Sequence, residues 1–241
     1  MTLSAPSPAL GEEGLPPRIE LDGASLALQK TYKHNSVSAV GLYGDGESRA
    51  VLKCYRRGSL LGIPMRWMGR LMARHEAAVL QQVQDIPGVP RLLGRYGRTG
   101  IIRQHVPGRP LTRDTEVPVQ FFGDLFRLLH RLHRRGVAYV DLEKAENILL
   151  GEDGRPYLID FQVAFHVPDR LFGRLWPVRW LRDQLQRADL YHARKHMRRL
   201  WPGRLSARQQ RRLRRRPWFV KLANALNAPY KKLRRWAVGK E

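Results

Sequence analysis

The stretch Val140–Phe165, VDLEKAENILLGEDGRPYLIDFQVAF, decides the fold. Ile148, Leu149 and Leu150 form a short apolar run, Gly151-Glu152-Asp153-Gly154 is turn chemistry, and Tyr157, Leu158 and Ile159 form a second apolar run of matching length. The pair predicts a β-hairpin. If the turn closes at Asp153-Gly154, the strands run antiparallel and their far ends meet, which returns Asn147 to the side of Asp160. A carboxylate and an amide oxygen side by side suit Mg²⁺, a hard cation that takes a few protein oxygens and fills its other positions with water and phosphate. Asp141 stands just upstream, placed to orient an attacking hydroxyl.

Working outward, the N-terminal half supplies a second pair of charges. Ala50–Tyr55 reads as a strand carrying Lys53, entered from the strand Val40–Tyr43 through the turn Gly44-Asp45-Gly46. Residues 66–84 read as a helix whose apolar stripe runs Met72, Val79, Leu80 and Val83. Glu76 falls on that stripe, four residues after Met72. A carboxylate on an inward face needs a partner, and Lys53 is the obvious one. Between the halves, Ile101–Gly108 reads as a strand running into a loop. Residues 119–134 predict a helix with Phe121, Phe122, Leu125, Leu128, Leu129 and Leu132 on its buried side, ending at Arg135-Gly136.

Over roughly residues 28 to 165 these segments resemble the protein-kinase-like superfamily. The resemblance implies an α+β, bilobal protein-kinase-like fold with a small antiparallel β-rich N-lobe and a reduced helical C-lobe. It implies ATP and Mg²⁺ as cofactors, Asp141 as catalytic base, and Lys144 as the lysine that neutralises the γ-phosphate. Asn147 and Asp160 would be the metal ligands, and Lys53, held by Glu76, would anchor ATP. The backbone from Gln104 to Val106 would be the hinge that meets the adenine.

Three departures stand out. Glu143 adds a residue between Asp141 and Lys144, and Gln162 replaces the glycine that usually follows the Asp-Phe pair. The segment where a Gly-rich loop belongs, Thr31–Ser36, contains no glycine. Backbone N–H groups there, helped by Lys33 and Ser36, would cradle phosphate instead.

Composition bounds the rest. The chain has 241 residues, and no run approaches the roughly 18 apolar residues of a membrane span. Residues 1–20 lack the basic and apolar blocks of a secretory signal and read as a flexible lead-in. The N-lobe is placed at 21–104, the hinge, helix and catalytic loop at 105–166, and a basic, Trp-rich helical part at 167–241. The single cysteine, Cys54, excludes an internal disulfide and fits a reducing compartment.

Charge is uneven. Residues 167–241 hold 22 Lys and Arg against 4 Asp and Glu, together with five of the six tryptophans. Basic helices studded with Trp and Leu suit an anionic membrane surface. The segments Leu171–Trp180 and Pro217–Trp236 are the candidate contacts. A bland alternative has the aromatics completing a small lobe while Arg solvates its outside. Nucleic acid is a third reading, drawn from the basic run Arg208–Arg216, though no nucleic-acid module accompanies it. His192 and His196 stand at metal-ligand spacing, but the side chains crowding them are basic and no neighbouring carboxylate or Cys completes a site.

Only 81 residues follow Asp160, and no Ala-Pro-Glu triplet appears. The organisation therefore resembles compact bacterial lipopolysaccharide-core kinases, which phosphorylate heptose or 3-deoxy-octulosonate sugars, and more distantly the RIO-type atypical kinases. The expectation is a cytoplasmic phosphotransferase, peripheral on the inner membrane face, acting on a glycolipid sugar hydroxyl. The alternatives are a Ser/Thr protein kinase and an inactive kinase-like scaffold with a membrane- or nucleic-acid-binding tail.

Overall fold

The computed structural model describes residues 10, 14–34, 37–56, 59–60, 63–64, 66–167 and 175–204. Its first layer is a six-stranded antiparallel sheet made of β1 (Arg18–Leu21), β2 (Ala24–His34), β3 (Ser38–Gly44), β4 (Arg49–Tyr55), β7 (Leu92–Tyr96) and β8 (Gly100–Gln104), in the order β1-β2-β3-β4-β8-β7. A two-stranded ribbon of β5 (Ser59–Leu60) and β6 (Ile63–Pro64) leads into helix α1 (Arg66–Val83). The β3–β4 turn forms where expected. Asp45 accepts the backbone N–H groups of Glu47 and Ser48 at 3.0 and 2.7 Å, and Gly46 takes the positive φ of +105° that the turn requires.

Helix α1 packs on the sheet with Ala73, Ala77, Val79, Leu80 and Val83 buried, and Glu76 buried among them. Met72, expected on this stripe, is only half-buried. The close approach is possible because residue 69 is glycine, where a Cβ would collide with the carbonyl oxygen of Arg56.

The second layer begins after β8. Helix α2 (Phe121–Arg134) buries the six apolar side chains expected of it. Strands β10 (Ile148–Gly151) and β11 (Pro156–Leu158) form the hairpin, with Ile148 opposite Leu158. A third strand, β9 (Gly108–Pro110), pairs with the other side of β10, an addition the sequence reading leaves as loop. Helix α3 (Trp176–Leu200) closes the C-terminal side and packs on α2. One large apolar core joins α1, α2, β10, β11 and the inner face of α3, while a smaller one fills the outer face of the sheet around Leu26, Tyr43 and Leu52.

The structure corrects one expectation here. Thr31–His34 is the end of strand β2, with Lys33 opposite Val40 and His34 opposite Ala39, so Lys33 lies on a strand and not in a loop. The ladder extends to His34 because β-branched and aromatic residues, Thr31 and Tyr32, lead into it and Val40 faces Lys33. Ser36 and the side chain of Lys33 lie outside the described residues.

Candidate active site

Strand β4, helix α1 and the second residue after β11 converge on one buried ion pair. Lys53 Nζ lies 3.0 Å from Glu76 Oε2 and 2.8 Å from Asp160 Oδ1. Glu76 is completely buried and takes three further donations or contacts that fix its carboxylate: the Tyr55 hydroxyl donates to Oε2, Lys53 to Oε1 at 3.3 Å, and the backbone N–H of Phe161 to Oε1 at 3.2 Å. The cluster satisfies the requirement that buried charges be paired and hydrogen-bonded.

Burial works to lower the Lys53 pKa, but Glu76 and Asp160 outweigh it and hold the ammonium above its ordinary value. Burial works to raise the Asp160 carboxyl, but the charge and hydrogen bond of Lys53 hold it below the usual range. Burial and the neighbouring Glu76 push the Tyr55 hydroxyl well up, so it stays a proton donor at neutral pH.

The candidate catalytic loop folds as two single 3₁₀ turns, Asp141–Glu143 and Ala145–Asn147. The extra residue is absorbed in the first of them. Leu142 turns into the core, Glu143 turns outward, and Lys144 comes back over Asp141, its Nζ 2.7 Å from Oδ2. Asn147 Nδ2 donates to the same Oδ2 at 2.9 Å and to the Asp141 carbonyl at 3.2 Å. Asp141 therefore carries one carboxylate oxygen gripped by an ammonium and an amide, and among the described residues the other has no hydrogen bond. The hairpin does bring the chain back: Ile159 N–H donates to Asn147 O at 3.2 Å, and Asn147 and Asp160 line one cavity.

That cavity has a volume of about 400 Å³. Val40, Val51, Val106 and Leu149 supply apolar walls, and Lys53, Asn147 and Asp160 supply the polar end. Tyr32 reaches across from β2, its hydroxyl 3.5 Å from His105 Nε2, in the part of the cleft where a Gly-rich loop was sought. Val106 lines the cavity, whereas Gln104 is exposed, accepts the Arg91 N–H at 3.4 Å on its Oε1, and is not among the lining residues. A larger groove of about 880 Å³ between the β7 approach and α2 holds none of the candidate site residues except Gln104.

The donor set fits a hard cation. Asn147 spends its amide nitrogen on Asp141, which leaves its oxygen as acceptor, and among the described residues Asp160 Oδ2 has no hydrogen bond. Two such oxygens beside this cavity match Mg²⁺, which draws its other ligands from water and phosphate. Among the described residues no group of three His, Cys, Asp or Glu forms a closed metal cage.

Three features beside the site have no role in the sequence analysis. Asp189 on α3 is fully buried and clamps the backbone that leads into Asp141: its Oδ2 accepts Tyr139 N–H at 2.8 Å and its Oδ1 accepts Val140 N–H at 2.8 Å. His133 Nε2 lies 3.0 Å from the same carboxylate. The clamp sits where the backbone is strained, since Val140 has φ +70°, a region a β-branched residue rarely enters. His196 Nε2 donates to the Leu142 carbonyl at 2.8 Å and so braces the loop from behind, with His192 buried one turn away. Arg103 on β8 lines the cavity at 7% exposure, and its Nε has no hydrogen-bond partner among the described residues. Burial lowers its pKa, while Glu76 and Asp160 oppose the shift.

No family model matches this chain, and no curated protein matches it by sequence. Its fold is similar to solved structures of a kinase. One is the Rio2 kinase-ADP/Mg²⁺-phosphoaspartate complex from Chaetomium thermophilum, with a TM-score of 0.55, 18% identity, and coverage of 75% of this chain and 58% of that one. The Rio2 kinase from the same organism gives 0.54, 17%, 75% and 60%. The chain thus spans less than two thirds of the structures it matches. The architecture is the α+β, bilobal, kinase-like fold of these neighbours.

Proposed function

We propose that the chain is an ATP- and Mg²⁺-dependent phosphotransferase acting on an alcohol group. The observation that carries this reading is the convergence of Lys53, Glu76 and Asp160 at one end of a cleft whose other polar wall holds Asn147, hydrogen-bonded to Asp141. In this reading Lys53, positioned by Glu76, meets the nucleotide phosphates. Bound Mg²⁺, held by Asn147 and Asp160, would neutralise phosphate charge. Asp141 orients the acceptor hydroxyl and takes its proton, and Lys144 stands at the same carboxylate to meet the transferred phosphoryl group. The Rio2 neighbour bound to ADP/Mg²⁺ has the same fold, which supports the choice of cofactors.

The acceptor we favour is a glycolipid sugar hydroxyl at the cytoplasmic face of a membrane. The start of α3 supports surface association: Trp176 is 77% exposed and Trp180 46%, one turn apart, with Arg179 exposed between them. Trp201 behaves differently and packs edge-on against Phe122 at 4.9 Å, completing the lobe. Trp218 and Trp236 lie outside the described residues.

The test is incubation with γ-labelled ATP, Mg²⁺ and a bacterial envelope extract, followed by separation of lipid, sugar and protein. Label in lipid, lost in Asp141→Asn, is expected. Label confined to protein would replace the glycolipid acceptor with a protein one, and no label in any fraction would contradict the phosphotransferase reading.

A further inference from the structure

Helix α1 has two faces of opposite chemistry. Its inner face buries Glu76 and the apolar stripe already described. Its outer face exposes Arg66, Trp67, Met68, Arg70, Leu71 and Arg74. At 100° per residue, Arg66, Arg70, Arg74, Trp67 and Leu71 fall within one arc of about 140°. The two largest apolar groups on that arc are one turn apart and open to solvent, Trp67 at 58% and Leu71 at 60%. Glu76 is the single acidic residue of the helix, and it is buried, so every carboxylate is absent from the outer arc.

We infer that this outer face of α1 is a docking surface for an anionic phospholipid bilayer. A solvated helix face does not expose Trp and Leu side by side, and a face that binds an apolar protein groove does not need three arginines along its edge. The combination is that of an interfacial helix. Trp settles at the headgroup level, Leu enters the acyl boundary, and arginines lay their stems along the surface with guanidinium groups on lipid phosphates. Each Arg near such a surface strengthens binding about fivefold. The face lies in the N-lobe, separate in sequence from the basic C-terminal part, so it gives the enzyme a second contact and with it a defined orientation. The inference extends the membrane-face reading of the function, but the docking itself requires no catalysis.

The test uses the full chain. Its single cysteine, Cys54, is buried on β4, so a cysteine placed at residue 71 by Leu71→Cys takes a polarity-sensitive fluorophore selectively. A matched label at Glu152→Cys, in the exposed β10–β11 turn, reports general contact with vesicles. With vesicles of equal parts phosphatidylcholine and phosphatidylglycerol, the label at 71 is expected to shift to the blue and brighten severalfold. It should not respond to phosphatidylcholine alone, and the label at 152 should respond to neither. Reversing two charges with Arg70→Glu and Arg74→Glu should weaken vesicle binding more than tenfold.

If the protein sediments with anionic vesicles while the label at 71 stays unchanged, the C-terminal part alone does the docking and the inference is overturned. Equal responses at 71 and 152, or no sedimentation with anionic vesicles, overturn it as well. Neither readout contains nucleotide, so loss of this surface and loss of the phosphotransferase reading are separate results.

Discussion

Helices α1 and α3 each brace a different part of the candidate site, and they do it with very different faces. Each sends one buried carboxylate inward. From α1, Glu76 holds Lys53 and the N–H of Phe161. From α3, Asp189 holds the N–H groups of Tyr139 and Val140. The rest of the inner face of α1 is apolar, whereas α3 buries Gln184, Asp189, His192 and His196 with Ala193. An apolar face is driven inward by the hydrophobic effect wherever it packs. A polar one can be buried only where its partners are already waiting. Helix α3 is thus specified by the loop it supports, and α1 by its own sequence.

The sharpest way to break this comparison is Asp189→Ala. It strips the acceptors from two backbone N–H groups at a strained residue and leaves them in the protein interior. A loss of about 3–5 kcal/mol is expected from urea denaturation, the range for breaking a buried charged network. A loss below about 1 kcal/mol would mean the clamp is decorative.

Glu76→Gln should cost less, about 2–3 kcal/mol, because the amide keeps the shape while removing the charge that balances Lys53. The two carboxylates share no hydrogen-bond partner, so the double variant should equal the sum of the single ones within about 0.5 kcal/mol. A larger coupling would show that the two carboxylates belong to one network. Tyr55→Phe removes a single hydroxyl from Glu76 and should cost about 1–2 kcal/mol.

The smallest effect is on pH. Burial, the largest cause, holds His192 and His196 below the ordinary value of 6.5. Between their folded pKa and 6.5 the unfolded chain binds more protons than the folded one, so stability falls as pH drops below 6.5. His192→Phe together with His196→Gln should flatten that slope in thermal melts taken across it. An unchanged slope would place the titration elsewhere.

The same contrast explains what could be read without coordinates. The hairpin around Asn147 and Asp160, the α2 core stripe and the Lys53–Glu76 pairing follow from apolar spacing and from the rule that an inward carboxylate needs a partner. Asp189 was invisible because hydrophobic periodicity says nothing about a buried polar face, and the surrounding sequence is dominated by arginine. Strand β9 was missed because Gly108-Arg109-Pro110 has no apolar alternation and is held only by its ladder to β10. Arg103 was passed over within an apolar strand, since an arginine there ordinarily points to solvent. The end of β2 was not legible as strand because Thr31–His34 has no apolar alternation, and its ladder to β3 holds it.

The central claim is that Asn147 and Asp160 present a metal site to a nucleotide in this cleft. The most direct measurement is thermal unfolding with ADP, with and without Mg²⁺, on the parent chain and on Asp160→Asn. A ligand at about 100 times its Kd stabilises the folded state by about 2.7 kcal/mol. The account predicts a clear rise in Tm for the parent with ADP and Mg²⁺ together, a much smaller rise with ADP alone, and loss of the Mg²⁺ dependence in Asp160→Asn. Equal shifts in both proteins, with or without Mg²⁺, would contradict it.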